Sequence, residues 1–405
     1  KLDRYGNLIW TRYFGSVYDD NGLYMNKTND GNLILAGESQ SNFDGLDVLI
    51  FKVDTNGVEI WNRRYSSPVN ESVKYVEPTS DKGYILTGFQ NDTSASNNIY
   101  VLKIDSAGNI QWEKSLGGID NEYANQVREL PGKNYVVTGD TRSFGAGGYD
   151  TWILKLDSAG NSIWDNTYGD TLQNGCQGVY VTSDYKLISF GETEISTFSP
   201  FDFFVEKIDT SDNSIWRYTY GNPIYTDALF SCAETPDKGF VFCGYSNSYN
   251  SGAPIDLVVF KIDSAGNELW NTTYGDISID IGYDIIPSID GGYLITGFRT
   301  VNSSPEYYLL HLNQTGLTTG ISFSDNNENA LVFPNPSNGN FSLHTNDYSQ
   351  TISAKIFSVD GRLIEKETFS SKKHTFNLSQ KLLPGIYLLQ LTTKDAIKTI
   401  KLIIR

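Results

Sequence analysis

Short apolar segments alternate with polar turns along most of the chain. Six of them share one form, a polar turn, an apolar run and a glycine: "DGNLILAG" (30–37), "DKGYILTG" (81–88), "GKNYVVTG" (132–139), "DYKLISFG" (184–191), "DKGFVFCG" (237–244) and "DGGYLITG" (290–297). Short runs bounded by turn residues are typical of β-strands. No segment sustains the 3.6-residue period of an amphipathic helix. The pattern therefore predicts an all-β protein.

A tryptophan recurs at nearly constant spacing between these segments. It follows versions of "KIDSAGN", the sequence of residues 103–109, and the steps between copies are 51, 51, 52, 52 and 54 residues. The six copies are Trp10, Trp61, Trp112, Trp164, Trp216 and Trp270. A degenerate seventh copy, at 311–320, lacks the tryptophan. We expect each tryptophan to be buried between neighbouring repeats.

Each repeat has room for four strands. In the second repeat the apolar runs predict strands at 72–78, 83–89, 98–105 and 109–116. Four-stranded units of this length are typical of β-propeller blades. Residues 7–14 resemble a lone fourth strand, and 282–313 supply only the first three strands of a last unit. The sequence therefore predicts a six-bladed β-propeller at 1–317, with the ring closed by the N-terminal outer strand. The alternative is a longer propeller of seven or more blades.

The "KIDSAGN" segment is interpreted as the hairpin between the third and fourth strands. Asp105 can accept hydrogen bonds from the turn backbone, and Gly108 and Asn109 tolerate a positive φ. We expect Lys103 to pair with Asp105. A Ca²⁺ site at this turn is the alternative, although one carboxylate per turn offers few of the oxygen ligands that the ion requires.

Beyond the repeats the pattern changes. Residues 318–330 are polar and predict a linker, and residues 331–405 alternate apolar and polar positions with Gly/Pro turns, which predicts a small β-sandwich. The net charge of the chain is −17, but the last 75 residues hold ten Lys/Arg and five Asp/Glu. That segment is therefore +5 and the rest −22. So acidic a surface argues against a nucleic-acid partner.

The chain offers little for metal or catalytic chemistry. It has three cysteines and three histidines in no metal-ligand spacing, and it lacks the hydrolase, phosphate-loop and EF-hand motifs. We therefore predict no metal and no cofactor. No apolar run approaches the roughly 18 residues of a membrane helix. Cys232 and Cys243 flank one turn and are predicted to face each other on adjacent strands, either as a disulfide or as two buried thiols.

The loops between the second and third strands of each unit differ in every repeat and are rich in Ser, Asn, Gly and aromatic residues. This mixture is typical of adaptable binding loops. Each loop ends on a polar residue that opens the third strand, interpreted either as a strand cap or as part of an acidic ligand-facing ring. The candidate ligand-binding residues on this variable face are Phe43, Asp47, Phe144, Tyr149, Asp150, Phe201, Asp202, Tyr245, Tyr249, Asp256 and Glu306.

Two resemblances bear on the repeats. The spacing of four residues between the turn glycine and the tryptophan, as in Gly108 and Trp112, resembles that of quinoprotein-like and WD-like propellers. It implies architecture alone, because the adjacent cysteine pair of the quinone-cofactor enzymes is missing. The turn also resembles a lengthened sialidase Asp-box. "DSA" is similar to the O-glycan acceptor sequence of Bacteroidetes, which would make Ser106, Ser158 and Ser264 acceptors.

Residues 331–405 resemble the type A C-terminal sorting domain of the type IX secretion system in Bacteroidetes. The matching residues are Phe333, Pro334, Asn335, Pro336, Gly361, Gly385, Tyr387, Lys398 and Lys401. The resemblance implies handling by the type IX secretion machinery, with release or surface anchoring after export.

We therefore expect a monomeric, secreted or surface-displayed propeller. The favoured function is non-catalytic binding of a glycan or an extracellular protein through the variable face. A secreted glycan-active hydrolase or lyase is the alternative, and a structural or adhesion component of the cell surface is a third interpretation.

Overall fold

The computed structural model describes residues 1–2, 9–40, 45–91, 96–197, 199–211, 213–249, 255–275, 278–301, 304–317, 331–333, 339–344, 351–358, 362–370, 373–383, 385–392 and 397–404. Within these ranges all regular structure is β, and no helix is long and apolar enough to cross a membrane. The chain forms two compact units, Lys1–Phe323 and Ser324–Arg405.

The first unit consists of repeated antiparallel sheets, in which consecutive strands lie side by side. Five sheets have four strands each. The first sheet consists of β1 (Asp20–Lys27), β2 (Leu33–Gln40), β3 (Leu46–Val53) and β4 (Glu59–Tyr65), and the second of β5 (Glu71–Pro78), β6 (Tyr84–Asn91), β7 (Asn97–Ile104) and β8 (Ile110–Leu116). The third sheet consists of β9 (Glu122–Leu130), β10 (Asn134–Thr141), β11 (Asp150–Leu156) and β12 (Ser162–Tyr168), and the fourth of β13 (Asn174–Val181), β14 (Leu187–Glu194), β15 (Phe201–Ile208) and β16 (Ser214–Tyr220). The fifth sheet consists of β17 (Asp227–Glu234), β18 (Phe240–Ser246), β19 (Asp256–Ile262) and β20 (Glu268–Tyr274). The four strands predicted for the second repeat are confirmed to within two residues.

The sixth sheet has three strands in the described part of the chain, β21 (Asp280–Pro287), β22 (Tyr293–Val301) and β23 (Ser304–Leu312). The predicted closing strand is not formed over residues 9–14, the described part of 7–14. This segment packs against the first sheet. A Cβ on Gly57 would lie 2.8 Å from the Trp10 ring, and the ring centroids of Phe14 and Phe51 are 5.5 Å apart.

The first strand of each sheet packs against the first strand of the next, in the order β1, β5, β9, β13, β17, β21. Arg128 on β9 illustrates the arrangement, since its guanidinium bonds Glu77 Oε2 on β5 at 2.7 Å and the Val179 carbonyl on β13 at 3.2 Å. Burial, and then the Asp284 carboxylate on β21, raise the pKa of Tyr24 on β1. The unit is therefore propeller-like, with its inner strands facing an axial space.

The repeated turns connect neighbouring hairpins and neighbouring sheets. Asp105 accepts the Ala107 and Asn109 amides at 2.8 and 2.9 Å, as predicted for the turn. Lys103 does not pair with Asp105. Its ammonium lies 2.9 Å from Asp81, because the turn between β5 and β6 places that carboxylate beside the end of β7.

The six repeat tryptophans are half-buried rather than fully buried. Five of them lie on the fourth strand of their sheet, and Trp10 lies outside the described strands. Trp112 shows the contact with the next sheet, where its Nε1 donates to the Ser158 carbonyl at 3.0 Å and a Cβ on Gly160 would lie 2.8 Å from the ring.

Cys232 and Cys243 are free, buried thiols, so the disulfide alternative is wrong. The register is offset by one residue from the predicted one, because Cys232 pairs with Phe242 and Cys243 with Ser231. A shift of one residue moves a side chain to the opposite face of a sheet. The two thiols accordingly lie in different hydrophobic clusters, Cys232 with Phe242 and Cys243 with Val241.

The second unit contains two sheets. One has the strand order β24 (Leu331–Phe333), β25 (Asn340–His344), β28 (Lys373–Asn377), and the other β27 (Leu363–Phe369), β26 (Ile352–Ser358), β29 (Gly385–Thr392), β30 (Ile397–Ile404). Phe341 and Phe376 from one sheet share a core with Ile356, Leu389 and others from the second. Of the predicted sorting residues, Phe333 lies in β24, Gly385 and Tyr387 in β29, and Lys398 and Lys401 in β30. Pro334, Asn335, Pro336 and Gly361 lie outside the described residues.

Candidate functional site

Every inner strand of the first unit carries a β-bulge at the same place. The pairing with the second strand skips one residue, the fourth residue of the inner strand. The skipped residues are Leu23, Lys74, Asn125, Gln177, Phe230 and Tyr283. A bulge leaves its extra residue out of the ladder and redirects its side chain. All six of these side chains are at least partly accessible to solvent.

Bulge residues from neighbouring sheets contact one another. Lys74 Nζ donates to Asn125 Oδ1 at 2.9 Å, and the rings of Phe230 and Tyr283 are 5.4 Å apart. These contacts cross from one inner strand to the next, so the bulges face the axial space. We define the axial site as four bulge residues and four residues of the adjacent second strands: Lys74, Asn125, Phe230, Tyr283, Asp140, Glu192, Tyr245 and Phe298.

One side of the axial site is aromatic. Phe230 contacts Tyr245 at a centroid distance of 5.7 Å, and Tyr283 contacts Phe298 at 5.9 Å. Tyr283 is 51% exposed although it belongs to an inner strand. Aromatic rings left accessible beside other rings form a surface on which an apolar face of a ligand can stack.

The other side of the axial site is polar. Asp140 Oδ2 accepts the Asn125 side-chain amide at 3.2 Å, and its Oδ1 accepts the Cys176 backbone amide at 2.6 Å. Gly175 leaves space beside these groups, since a Cβ there would lie 3.6 Å from Glu192 Oε1 and 3.7 Å from Asp140 Oδ1. The two carboxyl groups therefore flank a position without a side chain.

Burial changes the acidity of both carboxyl groups. It raises the pKa of Asp140 to about 6, although the Cys176 amide and Lys74 oppose the shift. It also raises the pKa of Glu192 to about 7, and the Asp140 carboxylate adds to that shift. Burial, followed by Glu192, raises the pKa of Tyr245 to about 12.

The polar residues predicted at the start of the third strands do not join this site. Asp47, Asp150, Asp202 and Asp256 are buried and Glu306 is half-buried. Asp150 Oδ2 accepts the Ala146 amide at 2.6 Å, and Asp47 lies 3.3 Å from Arg64. The Asp150 contact favours the interpretation of that residue as a strand cap that holds its own loop, whereas Asp47 pairs with the outer strand.

The predicted loop aromatics separate into different places. Phe144 packs on Trp152 with a centroid distance of 5.0 Å, and Tyr249 joins the core beside Phe203 at 6.4 Å. Tyr149 lies 6.3 Å from Tyr123, and Phe201 is half-buried at the start of β15. Phe43 lies outside the described residues. Tyr245 is the one predicted residue that the structure assigns to the axial site.

The other second-strand residues of the axial site were missed by sequence reasoning, although a signal was present. The second-strand segments are nearly uniform up to their glycine, and the residue after it varies. Those residues are Glu38, Phe89, Asp140, Glu192, Tyr245 and Phe298. When one position varies within an otherwise uniform strand, the fold does not require a particular side chain at that position.

A second opening lies on the variable face between the third and fourth sheets. This cleft has a volume of about 510 Å³ and is lined by Gly169, Asp170, Glu194, Ile195 and Arg217, among others. Its lining includes no aromatic ring apart from Tyr168. Within the described ranges, no group of three or more His, Cys, Asp or Glu side chains could hold a metal ion.

Comparison with known proteins identifies the second unit. Residues 331–405 match the family of secretion system C-terminal sorting domains. The chain is therefore exported by the type IX secretion system to the cell surface or the extracellular space. No curated protein matches the chain.

Solved structures resemble the chain in fold. They include PorZ, a surface component of the type IX secretion system of Porphyromonas gingivalis (10% identity, 98% of this chain and 61% of that one, TM-score 0.45). The α-L-arabinofuranosidase Arb93A of Fusarium graminearum has 12% identity over 74% of this chain and 95% of that one, with a TM-score of 0.50. A puromycin hydrolase has 10% identity over 85% and 57%, with a TM-score of 0.51. The chain thus spans about three fifths of the length of PorZ, and at these identities the likeness concerns the fold alone.

Proposed function

We propose that this chain is an exported, non-catalytic binding protein that holds a glycan in the axial site. The observation that carries the proposal is that the axial site has an aromatic side and a polar side. Phe230, Tyr283 and Phe298 offer rings on which a sugar can stack, while Asn125 and Asp140 offer amide and carboxyl groups for its hydroxyls. Sites that bind small molecules commonly combine an apolar wall with a few convergent polar groups.

The test is binding of neutral, amine-bearing and uronate oligosaccharides to the full chain, measured by titration calorimetry, with Tyr283→Ala as the variant. Because Tyr283 is half-exposed and packs on Phe230 and Phe298, its removal should lower the melting temperature by only a few degrees. Loss of one stacking contact should weaken binding about 3- to 10-fold. Tyr185→Asn is the control, since Tyr185 is 60% exposed on a turn at the opposite end of the sheet, with a φ of 60° that asparagine tolerates.

Three outcomes would contradict this proposal. The chain could bind no oligosaccharide, it could bind equally well after Tyr283→Ala, or it could lose binding after Ile195→Asp alone. The last result would move the ligand to the cleft between the third and fourth sheets, where Ile195 is 44% exposed.

Glycan cleavage is the second candidate, supported by the two carboxyl groups beside Gly175. Glycosidases use a pair of carboxyl groups, one of them protonated near neutral pH, and the pKa of Glu192 is raised to about 7. Release of new reducing ends by the wild-type chain, abolished by Asp140→Asn and by Glu192→Gln, would establish this activity. Binding without new reducing ends would support the non-catalytic proposal.

We also propose that the first unit is a closed, six-bladed propeller in which the N-terminal segment completes the sixth blade. Trp10 lies against Gly57 in the way that Trp270 lies against Gly316. Removal of residues 1–14 should lower the melting temperature by several degrees, because Trp10 and Phe14 would be lost from the first sheet. An unchanged melting temperature would contradict closure. Light scattering should give the mass of a monomer.

A further inference from the structure

The polar side of the axial site carries more acids than bases. Glu38 lies on β2 at the position equivalent to Asp140 and Glu192, and Lys74 is the one basic side chain among these groups in the described part of the chain. Burial lowers the pKa of Lys74, and the Asp140 and Glu38 carboxylates oppose this shift. At neutral pH the local balance is therefore negative when the carboxyl groups are ionised.

Hydrogen bonds from other residues of the protein hold Glu38 and Asp140, but none is made to Glu192 within the described part of the chain. Glu38 accepts hydrogen bonds from Asn21 at 3.2 Å and from Ser72 at 2.5 Å. Asp140 is held by Asn125 and the Cys176 amide. Glu192, by contrast, receives no hydrogen bond or ion pair from any described residue, although it is half-buried. A partly buried carboxylate without a partner is unfavourable, and a cation from a ligand would remove that cost.

The surroundings of Glu192 suit an ammonium group. Gly175 leaves open space on the side of Glu192 that faces Asp140. Burial and Glu192 raise the pKa of Tyr245, and the Tyr245 ring packs on Phe230. An ammonium group is stabilised both by carboxylates and by the faces of aromatic rings. Lys74 donates to Asn125 at 2.9 Å and makes no ion pair with Glu192 within the described part of the chain.

We propose that the axial site selects saccharides that carry a free primary amine, with the ammonium held by Glu192 and Asp140 and the sugar ring stacked on Phe230 and Tyr283. This inference rests on the proposed glycan-binding function and names the class of sugar. An N-acetylated sugar offers no charge to Glu192. A uronate brings a further negative charge close to three carboxyl groups, so it should be repelled.

The experiment compares three probes of equal length by titration calorimetry at pH 7.5 with the full chain. They are a glucosamine tetramer, an N-acetylglucosamine tetramer and a galacturonate tetramer. A charge-assisted hydrogen bond contributes about 1.5–3 kcal/mol. The glucosamine tetramer should therefore bind at least about 10-fold more tightly than the N-acetylated one, and the galacturonate should bind most weakly.

Glu192→Gln should remove the preference, lowering affinity for the glucosamine tetramer about 10-fold while changing that for the N-acetylated tetramer less than twofold. Glu194→Gln is the matched control, because Glu194 lies on the same strand but lines the cleft between the third and fourth sheets. Equal affinity for the amine and its acetylated form, or a preference that survives Glu192→Gln, would overturn the inference while glycan binding stands. Absence of binding to all three probes would count against the proposed function itself.

Discussion

The two ends of each sheet in the first unit use their polar residues in opposite ways. At the end with the uniform turns, charged side chains are paired with each other, as in Lys52 with Asp30 at 2.6 Å and Lys261 with Asp237 at 2.8 Å. At the other end, Glu192 has no partner among the described residues and Tyr283 is half-exposed. The first end repeats its residues from sheet to sheet, and the second varies them.

The uniform end therefore contributes mainly to stability, and the axial end to the proposed ligand binding. A residue that satisfies a neighbour in every repeat cannot change without loss of that contact, so it recurs. A residue that faces the axial space makes no such contact, so it can differ among the six repeats. Substitutions at the uniform end should therefore affect unfolding, and those at the axial end should affect binding.

The largest effect is expected for Trp112→Ala. The indole donates to the Ser158 carbonyl and contacts Tyr135 at a centroid distance of 5.9 Å, so its removal opens a cavity between two sheets. Because Trp112 is half-buried, we expect a loss of about 3 kcal/mol, the lower end for Trp→Ala. Chemical denaturation measures it. The control Ile163→Ala, at a 49% exposed side chain, should cost less than about 0.5 kcal/mol.

Lys103→Met should follow, at about 2 kcal/mol. The Lys103 side chain is 1% exposed and bonds Asp81 and Gln111, so its loss leaves two polar groups without their partner. The matched control is Lys186→Met, since Lys186 and Asp184 are 39% and 55% exposed, and an exposed pair contributes little. A similar loss in both variants would contradict the distinction between buried and surface pairs.

The same pair predicts a response to acid. Despite opposing burial, hydrogen bonds from Thr79 and Lys103 lower the pKa of Asp81 to about 2. A lowered pKa means that the contribution of Asp81 to stability is present above about pH 4 and is lost as the pH falls towards 2. Lys103→Met should flatten this part of the curve of melting temperature against pH.

Asp202→Asn should have a smaller effect of the opposite sign. Burial and the neighbouring Asp227 raise the pKa of Asp202 to about 7, and both carboxyl groups approach the turn at Gly221. The folded state therefore binds this proton more tightly than the unfolded state. Stability falls as the pH rises from about 4 to 7, and asparagine should abolish that fall. We expect a gain of about 1 kcal/mol at pH 8, or roughly 2–4 °C. Destabilisation at every pH would show that the carboxylate holds the turn.

Much of the architecture could be predicted from sequence, because strand alternation and turn residues are local signals. The "KIDSAGN" turn and the four strands per repeat follow from them. The bulges could not be predicted, since one extra residue in an inner strand leaves the apolar alternation almost unchanged. The pairing of Lys103 with Asp81 was missed for a related reason, because it joins two turns that are 22 residues apart in sequence.

The axial site required the structure for the same reason. Phe230 and Tyr283 are ordinary strand residues in the sequence, and the bulge redirects them. Loop aromatics were predicted to bind the ligand because loops commonly carry function. Phe144 and Tyr249 instead pack against Trp152 and Phe203. A lone sequence cannot distinguish a ring that anchors its own loop from one that meets a ligand.

The smallest effect is expected for Phe144→Ala, and it bears most directly on the comparison between the two ends. Phe144 is 42% exposed, and its main contact is Trp152 in the same sheet. Removal of a half-exposed ring that packs on one neighbour should cost about 0.5–1.5 kcal/mol. Oligosaccharide affinity should stay within twofold of the wild-type value, because Phe144 is not part of the axial site. The reverse result, an unchanged melting temperature with weakened binding, would show that the ligand meets the variable loops. Tyr283→Ala measured beside it then distinguishes the two locations, since only Tyr283→Ala should weaken binding.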